Sequence, residues 1–172
     1  MRVSTASIAL SLFVVLFDPS ASFAQPQTDF TLARGRIGAL RIGMTADEVV
    51  ALFGAQRVKK VGLYTENPDP EPALEVRLGS ISASKPSLTV ELHPGNTVYR
   101  VQVFDKRYKT TDGLGIGSTL GQIRARHELK VGVGEGSVFA SSDELGLSFD
   151  FSQFYPSLNI PARGRVQSIL VF

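Results

Sequence analysis

The sequence predicts an α+β domain made of two tandem repeats, each a short helix followed by antiparallel strands that share one curved antiparallel sheet. Three observations lead there. Two segments of the chain resemble each other without a gap. Each carries the same helix-starting chemistry, and each is followed by runs in which apolar and polar residues alternate.

The similar segments are residues 42–52 (IGMTADEVVAL) and 116–126 (IGSTLGQIRAR). Ile42, Gly43, Thr45, Val49 and Ala51 fall on Ile116, Gly117, Thr119, Ile123 and Ala125. Thr45 with Glu48, and Thr119 with Gln122, each have capping-box spacing: the Thr hydroxyl accepts from the amide three residues on, whose side chain returns to the Thr amide. Helices should therefore start at both threonines. Their inward faces are set by three- and four-residue steps: Val49, Leu52 and Phe53 in the first helix, and Leu120, Ile123 and His127 in the second. Gly54 is placed to stop the first.

Strands are expected where the period changes to two. Leu74, Val76 and Leu78 alternate with Glu75 and Arg77, and Leu88, Val90 and Leu92 with Thr89, Glu91 and His93. Pro94-Gly95-Asn96 is a turn, after which Tyr99, Val101 and Val103 return the chain. In the second repeat, Leu147, Phe149 and Phe151 alternate with Ser148 and Asp150, and Val166 to Phe172 is the closing strand. One apolar face per strand means a sheet covered by helices on one side and open on the other. Each half is too small to hide that face alone, so the halves should share a core.

The boundaries follow. Residues 1–24 read as a signal peptide: Arg2, the apolar run Ile8 to Phe17 (IALSLFVVLF), then Ser22-Phe23-Ala24 as a cleavage site. Residues 25–35 are expected to be a flexible N-terminal segment, and 36–172 one domain, with repeats at 36–109 and 110–172. The chain has 172 residues, a net charge of +2 and no cysteine. So mild a charge gives no reason to expect nucleic acid as a partner. Without cysteine, stability in an oxidising compartment has to come from the core. No later run is long and apolar enough to insert in a membrane after signal removal. The expected location is periplasmic or secreted.

The doubled pattern Ile-Gly-x-Thr, followed by antiparallel strands in an exported chain, resembles two related groups. One is the β-lactamase-inhibitor-protein-like fold, with its tandem helix-plus-sheet repeats. The other is the outer-membrane assembly lipoprotein BamE (SmpA/OmlA), similar to a single such unit. The resemblance implies a fold and a habit of binding other proteins. BamE-like proteins are lipid-anchored through a cysteine and the inhibitor proteins carry disulfides, and this chain has neither. No partner-contacting residue carries over.

No catalytic constellation stands out. Only His93 and His127 are available as bases for a serine nucleophile, there is no Gly-x-Ser-x-Gly elbow, and two separate histidines do not make a zinc site. The glycines of Gly113-Leu-Gly115-Ile-Gly117 precede a helix, but no Walker lysine follows. Gly132 to Gly136 reads as a turn. The acids Asp69, Glu71, Asp143 and Glu144 read as solvated turn residues, and Lys106, Arg107 and Lys109 around Tyr108 as a charged linker. The expected binding residues are Arg77, Glu91, Arg100, Gln102 and Asp150 on the polar sheet face. Phe154 and Tyr155, in the connection from Ser152 to Gly164, complete the set either as an interface anchor or as a cover over one end of the core.

The expectation is thus a non-enzymatic binding module without cofactor or metal. Its partner would be another envelope or secreted protein, in envelope assembly or enzyme inhibition. A small-ligand or cell-wall-fragment carrier is the alternative, and a hydrolase a distant third. A deep pocket would favour the carrier, a broad shallow face the protein partner.

Overall fold

The structure is a computed structural model that describes residues 29–64, 69–79, 84–134 and 136–172. Residues 1–24, expected to be a signal peptide, and residues 25–28 of the segment expected to be flexible lie outside the described residues, as do Asn67 and Pro68. Strands β1 (Thr31–Ala33), β2 (Arg36–Ile37) and β3 (Leu40–Arg41) come first, then α1 (Ala46–Phe53). Next are β4 (Val58–Leu63), β5 (Glu71–Val76), β6 (Leu88–Leu92), β7 (Val98–Val103) and β8 (Lys109–Thr110). After α2 (Leu120–Arg124) run β9 (Lys130–Gly134), β10 (Ser137–Ser142), β11 (Leu147–Asp150) and β12 (Ile169–Val171).

This is a mixed α/β fold, mostly strand, with two sheets rather than the single one expected. The larger has eight strands in the order β4-β5-β6-β7-β12-β11-β10-β9, all antiparallel. The smaller has four, β3-β2-β1-β8, and its β1–β8 pair is parallel. The second sheet exists because residues 31–33, expected to be flexible, are strand. Leu32 is buried in the core there, and that burial fixes the segment.

Both helices begin as the local chemistry dictates. The Thr45 hydroxyl accepts from the Glu48 amide and the Glu48 carboxylate accepts from the Thr45 amide, and Thr119 and Gln122 do the same. The two helix starts are also anchored alike. Gly43 N–H donates to Val98 and Gly117 N–H to Val166; Ala46 N–H donates to Asn96 and Leu120 N–H to Gly164. Gly43 and Gly117 hold φ of 89° and 88°, a left-handed conformation that any other side chain would strain. Thr45→Ala and Thr119→Ala should each cost roughly 0.5–2 kcal/mol in chemical denaturation, because each orphans a helix amide.

One face of the eight-stranded sheet packs on the helices. Val49 and Phe53 of α1, and Leu120 and Ile123 of α2, share a core with Leu74, Val76, Leu88, Val90, Val101, Val103, Val138, Ala140, Leu147, Phe149, Ile169 and Val171. Leu32, Ile37 and Leu40 of the small sheet close the same core. Among the described residues, no helix is long and apolar enough to cross a membrane.

Several expectations need correction. Gly132 and Gly134 lie within β9 rather than in a turn, because Gly132 pairs with Phe139 and leaves room for its ring. Glu71 opens strand β5 rather than sitting in a solvated loop. Tyr99 does not point to the core. A bulge at Glu91/Leu92 shifts the phase, and Val98 takes the inward position. Tyr108 is 0 % exposed, packed edge-on against Phe30, so the basic segment around it is anchored in the core rather than a solvated linker.

His127 is not an apolar helix position either, since α2 has already ended at Arg124. Its ring bridges two carboxylates, Nε2 at 3.0 Å from Asp112 and Nδ1 at 3.2 Å from Glu144. Burial works against a charged ring, but the bonds to Asp112 and Glu144 outweigh it and hold the imidazole above its ordinary value. At Asp112 burial is likewise outweighed, by bonds from Thr110 and His127, and the carboxyl is held low. The His127 contribution is therefore complete below the unfolded value of about 6.5 and lost as pH rises through the raised folded value. The Asp112 contribution is complete above about 3.9 and lost on acidification. Stability should fall as pH rises above about 6.5, and His127→Gln should flatten that slope in denaturant titrations at stepped pH.

Candidate functional site

The register places a second set of residues on the sheet face away from the helices. Thr89, Gln102, Leu170, Ser148 and Ser141 lie directly across from one another in a row that crosses β6, β7, β12, β11 and β10. Flanking rows bring in Glu91 opposite Arg100, and Asp150 opposite Phe139. Strand alternation alone produces this division, because every second residue of a strand points away from the core. Where the core face has Val, Leu and Phe, this face has Ser, Gln, Glu and Asp.

A cavity of about 670 Å³ opens on this face. Its charged and amide groups are Glu91, Arg100, Gln102 and Asp150, and Phe139, Leu170 and Phe172 supply its apolar surface. Five serines, at 137, 141, 148, 152 and 168, complete the polar lining.

Two hydrogen-bonded groups give the cavity a fixed shape. At the first, Glu91 is buried, and its carboxylate accepts from Arg100 Nε at 2.8 Å and from the Tyr99 hydroxyl at 2.9 Å. Tyr99 stacks on His93, with ring centroids 4.6 Å apart. Burial first, and then its bond to Glu91, hold the Tyr99 phenol well above its ordinary range, so it stays a neutral donor. The bulge that misplaces Tyr99 in the simple alternation is what delivers it to this acid.

The second group centres on Asp150. Its Oδ1 accepts from the Ser137 hydroxyl at 2.5 Å and the Ser152 amide at 2.9 Å, and its Oδ2 from the Ser152 and Ser168 hydroxyls, both at 3.1 Å. Gln102 Nε2 donates to Ser168 Oγ at 3.2 Å and ties β7 to this network through β12. Ser141 and Ser148 bond each other at 2.8 Å. Phe139 lies against Gly132 and Gly134 of β9; a Cβ on Gly132 would come within 2.9 Å of its ring.

Of the residues expected to bind, the structure gathers Glu91, Arg100, Gln102 and Asp150 around the cavity. The other three lie apart from it. Arg77 follows β5 and bonds Glu75 at 3.0 Å. Phe154 packs on the core under Gly164, which has no room for a side chain there. Tyr155 and Leu158 are 49 % and 58 % exposed on the same connection. The connection is therefore core cover at Phe154 and Ile160, and open surface at Tyr155 and Leu158. Accordingly, Phe154→Ala should lower stability by roughly 0.5–3 kcal/mol while Tyr155→Ala stays within about ±0.5, measured by thermal melts of the single variants. Sequence reasoning missed Ser137, Ser141 and Phe139 because it did not recognise β10; Ser137 to Ser142 (SVFASS) has strand alternation, with Val138 and Ala140 inward.

A smaller hollow of about 470 Å³, lined by Asp69, Glu71, His93 and Tyr99 among others, lies beside the Tyr99 group. Among the described residues, no group of three His, Asp or Glu side chains is placed to hold a metal ion.

No protein-family model and no curated protein matches the chain. Among solved structures, it is similar to the uncharacterized protein yfeY from Escherichia coli, with a TM-score of 0.55, at 17% identity, over 84% of this chain and 99% of that one. At that identity the likeness shows the fold alone: a mixed α/β arrangement shared across nearly the whole of the yfeY chain.

Proposed function

We propose that this is an exported, non-enzymatic binding protein whose ligand sits in the cavity on the open face of the eight-stranded sheet. The cavity itself carries the proposal. At about 670 Å³ it falls within the roughly 300–1,000 Å³ typical of small-molecule sites, and its polar walls are fixed by hydrogen bonds before any ligand arrives. That favours the carrier over a flat protein–protein contact. Export rests on the sequence of residues 1–24, and a periplasmic or secreted location goes with it.

A binding role fits the carboxylates better than a catalytic one. Asp150 is engaged by four donors of its own chain, and Glu91 by Arg100 and Tyr99. Neither nucleic acid nor membrane insertion has a part in this function. The finer architecture, two tandem copies related to the inhibitor-protein-like and BamE-like units, is supported by the matched capping boxes and by the matched bonds of Gly43 with Gly117 and Ala46 with Leu120. The succession of four strands after each helix in the large sheet agrees with it. A second reading, docking of an envelope or secreted protein, is favoured by Tyr155 and Leu158 alone.

The natural absence of cysteine makes a labelling test clean. Ser141→Cys in the cavity and Tyr155→Cys on the connection would each be reacted with a thiol probe, with and without envelope extract of the source organism. Slowed labelling at Ser141→Cys alone supports the cavity. Slowed labelling at Tyr155→Cys alone sinks it and favours the protein partner.

A further inference from the structure

We infer that the ligand of this cavity is a neutral oligosaccharide. The inference rests on the cavity being the binding site and adds the chemical class. It follows from where the protons of the cavity are committed. A serine hydroxyl has one proton to donate and two lone pairs to accept with. Ser137, Ser152 and Ser168 all spend that proton on Asp150. Their oxygens are thereby turned into fixed acceptors, and Ser168 already receives one bond from Gln102.

Donors are present as well. In the Ser141–Ser148 pair one hydroxyl donates to the other, which leaves one proton of the pair without a protein partner among the described residues. Gln102 uses a single amide proton on Ser168, leaving a second donor and its carbonyl oxygen without another protein partner among the described residues. The cavity thus offers donors and acceptors side by side. An ammonium ion, which only donates, leaves the donors unmet, and a carboxylate or phosphodiester, which only accepts, leaves the serine oxygens unmet. Unmet buried polar groups cost binding energy. A sugar hydroxyl does both.

Charge and shape agree. Of the acidic and basic lining residues, Glu91 pairs with Arg100 and Asp150 is met by the hydroxyls of Ser137, Ser152 and Ser168, so nothing in the lining attracts an anion. Beside the polar array stand the Phe139 and Phe172 rings and Leu170, apolar surface of the kind that covers the C–H face of a pyranose ring. Gly132 matters here because a side chain in its place would push Phe139 out of position.

The test is calorimetric titration of the purified protein with maltotriose, cellotriose and triacetylchitotriose, and with spermidine and tricarballylate as donor-only and acceptor-only probes. The expected result is saturable binding of at least one trisaccharide, insensitive to salt and weakened at least tenfold in Gln102→Leu and in Phe139→Leu. Either variant suffices if the other fails to fold, judged by its melting curve. Binding of spermidine or tricarballylate, weakened by the same variants and without any trisaccharide bound, would overturn the sugar assignment while leaving the cavity as the site. If no probe binds, the sugar assignment fails too, and labelling at Ser141→Cys separately decides whether the face binds anything.

Discussion

Phe149→Ala should destabilise the protein by about 3–5 kcal/mol, the range for removing a fully buried phenylalanine from a packed core. Phe149 sits in the middle of β11, between Ala140 of β10 and Ile169 of β12, with no exposed surface. Its neighbour Ser148 points to the opposite face and bonds Ser141. Ser148→Ala should therefore cost only about 1 kcal/mol, the net value of one ordinary hydrogen bond. Adjacent residues with such unequal costs are what a two-faced sheet demands. Urea denaturation of both variants measures the difference, and similar losses at the two positions would mean that the face assignment is wrong.

The second large effect belongs to the Glu91–Arg100 pair. Removing one partner of a buried ion pair leaves an uncompensated charge and costs about 3–5 kcal/mol, whereas replacing both is close to neutral. Arg100→Met should fall at the lower end of that range, because a quarter of its side chain (25 %) reaches solvent while Glu91 keeps only 7 %. Adding Glu91→Gln to Arg100→Met should restore most of the loss, since a neutral amide no longer needs the cation. A double-mutant cycle in denaturant reads this directly. Simple additivity of the two substitutions would show that the pair is not coupled and that the cavity wall is not held by it.

How much of this was legible depended on how local the cause was. The helix starts at Thr45 and Thr119 are written in four-residue capping boxes, and both form as the spacing dictates. Strands β5, β6, β7 and β11 announce themselves through apolar alternation. Strands β4 and β9 do not: Val58–Leu63 reads VKKVGL and Lys130–Gly134 reads KVGVG, edge strands whose lysines and glycines are poor strand formers on their own. They are held by neighbours distant in sequence. Tyr99 shows how a single bulge reverses an otherwise correct phase. His127 was expected on the inward face of the second helix, as Phe53 is on that of the first, yet the second helix is three residues shorter and ends before reaching it.

The site divides in the same way. Glu91, Arg100, Gln102 and Asp150 were found because strand phase alone decides which face they occupy. The serines were invisible as a group, since each looks like an ordinary turn or surface residue. Only the pairing of β12 with both β7 and β11 brings Ser168 between Gln102 and Asp150. The Phe154-Tyr155 pair was split by packing. Its first ring turns under Gly164 and its second faces solvent, a distinction that no property of the dipeptide encodes.

The most direct test of the central claim is a backbone amide chemical-shift map of the isotope-labelled protein, titrated with the small-molecule fraction of the source envelope. The account predicts shifts clustered at Gln102, Ser137, Phe139, Ser148, Asp150 and Ser168, with α1 and α2 silent. Shifts confined to Tyr155, Leu158 and their neighbours, with the open sheet face unchanged, would contradict it.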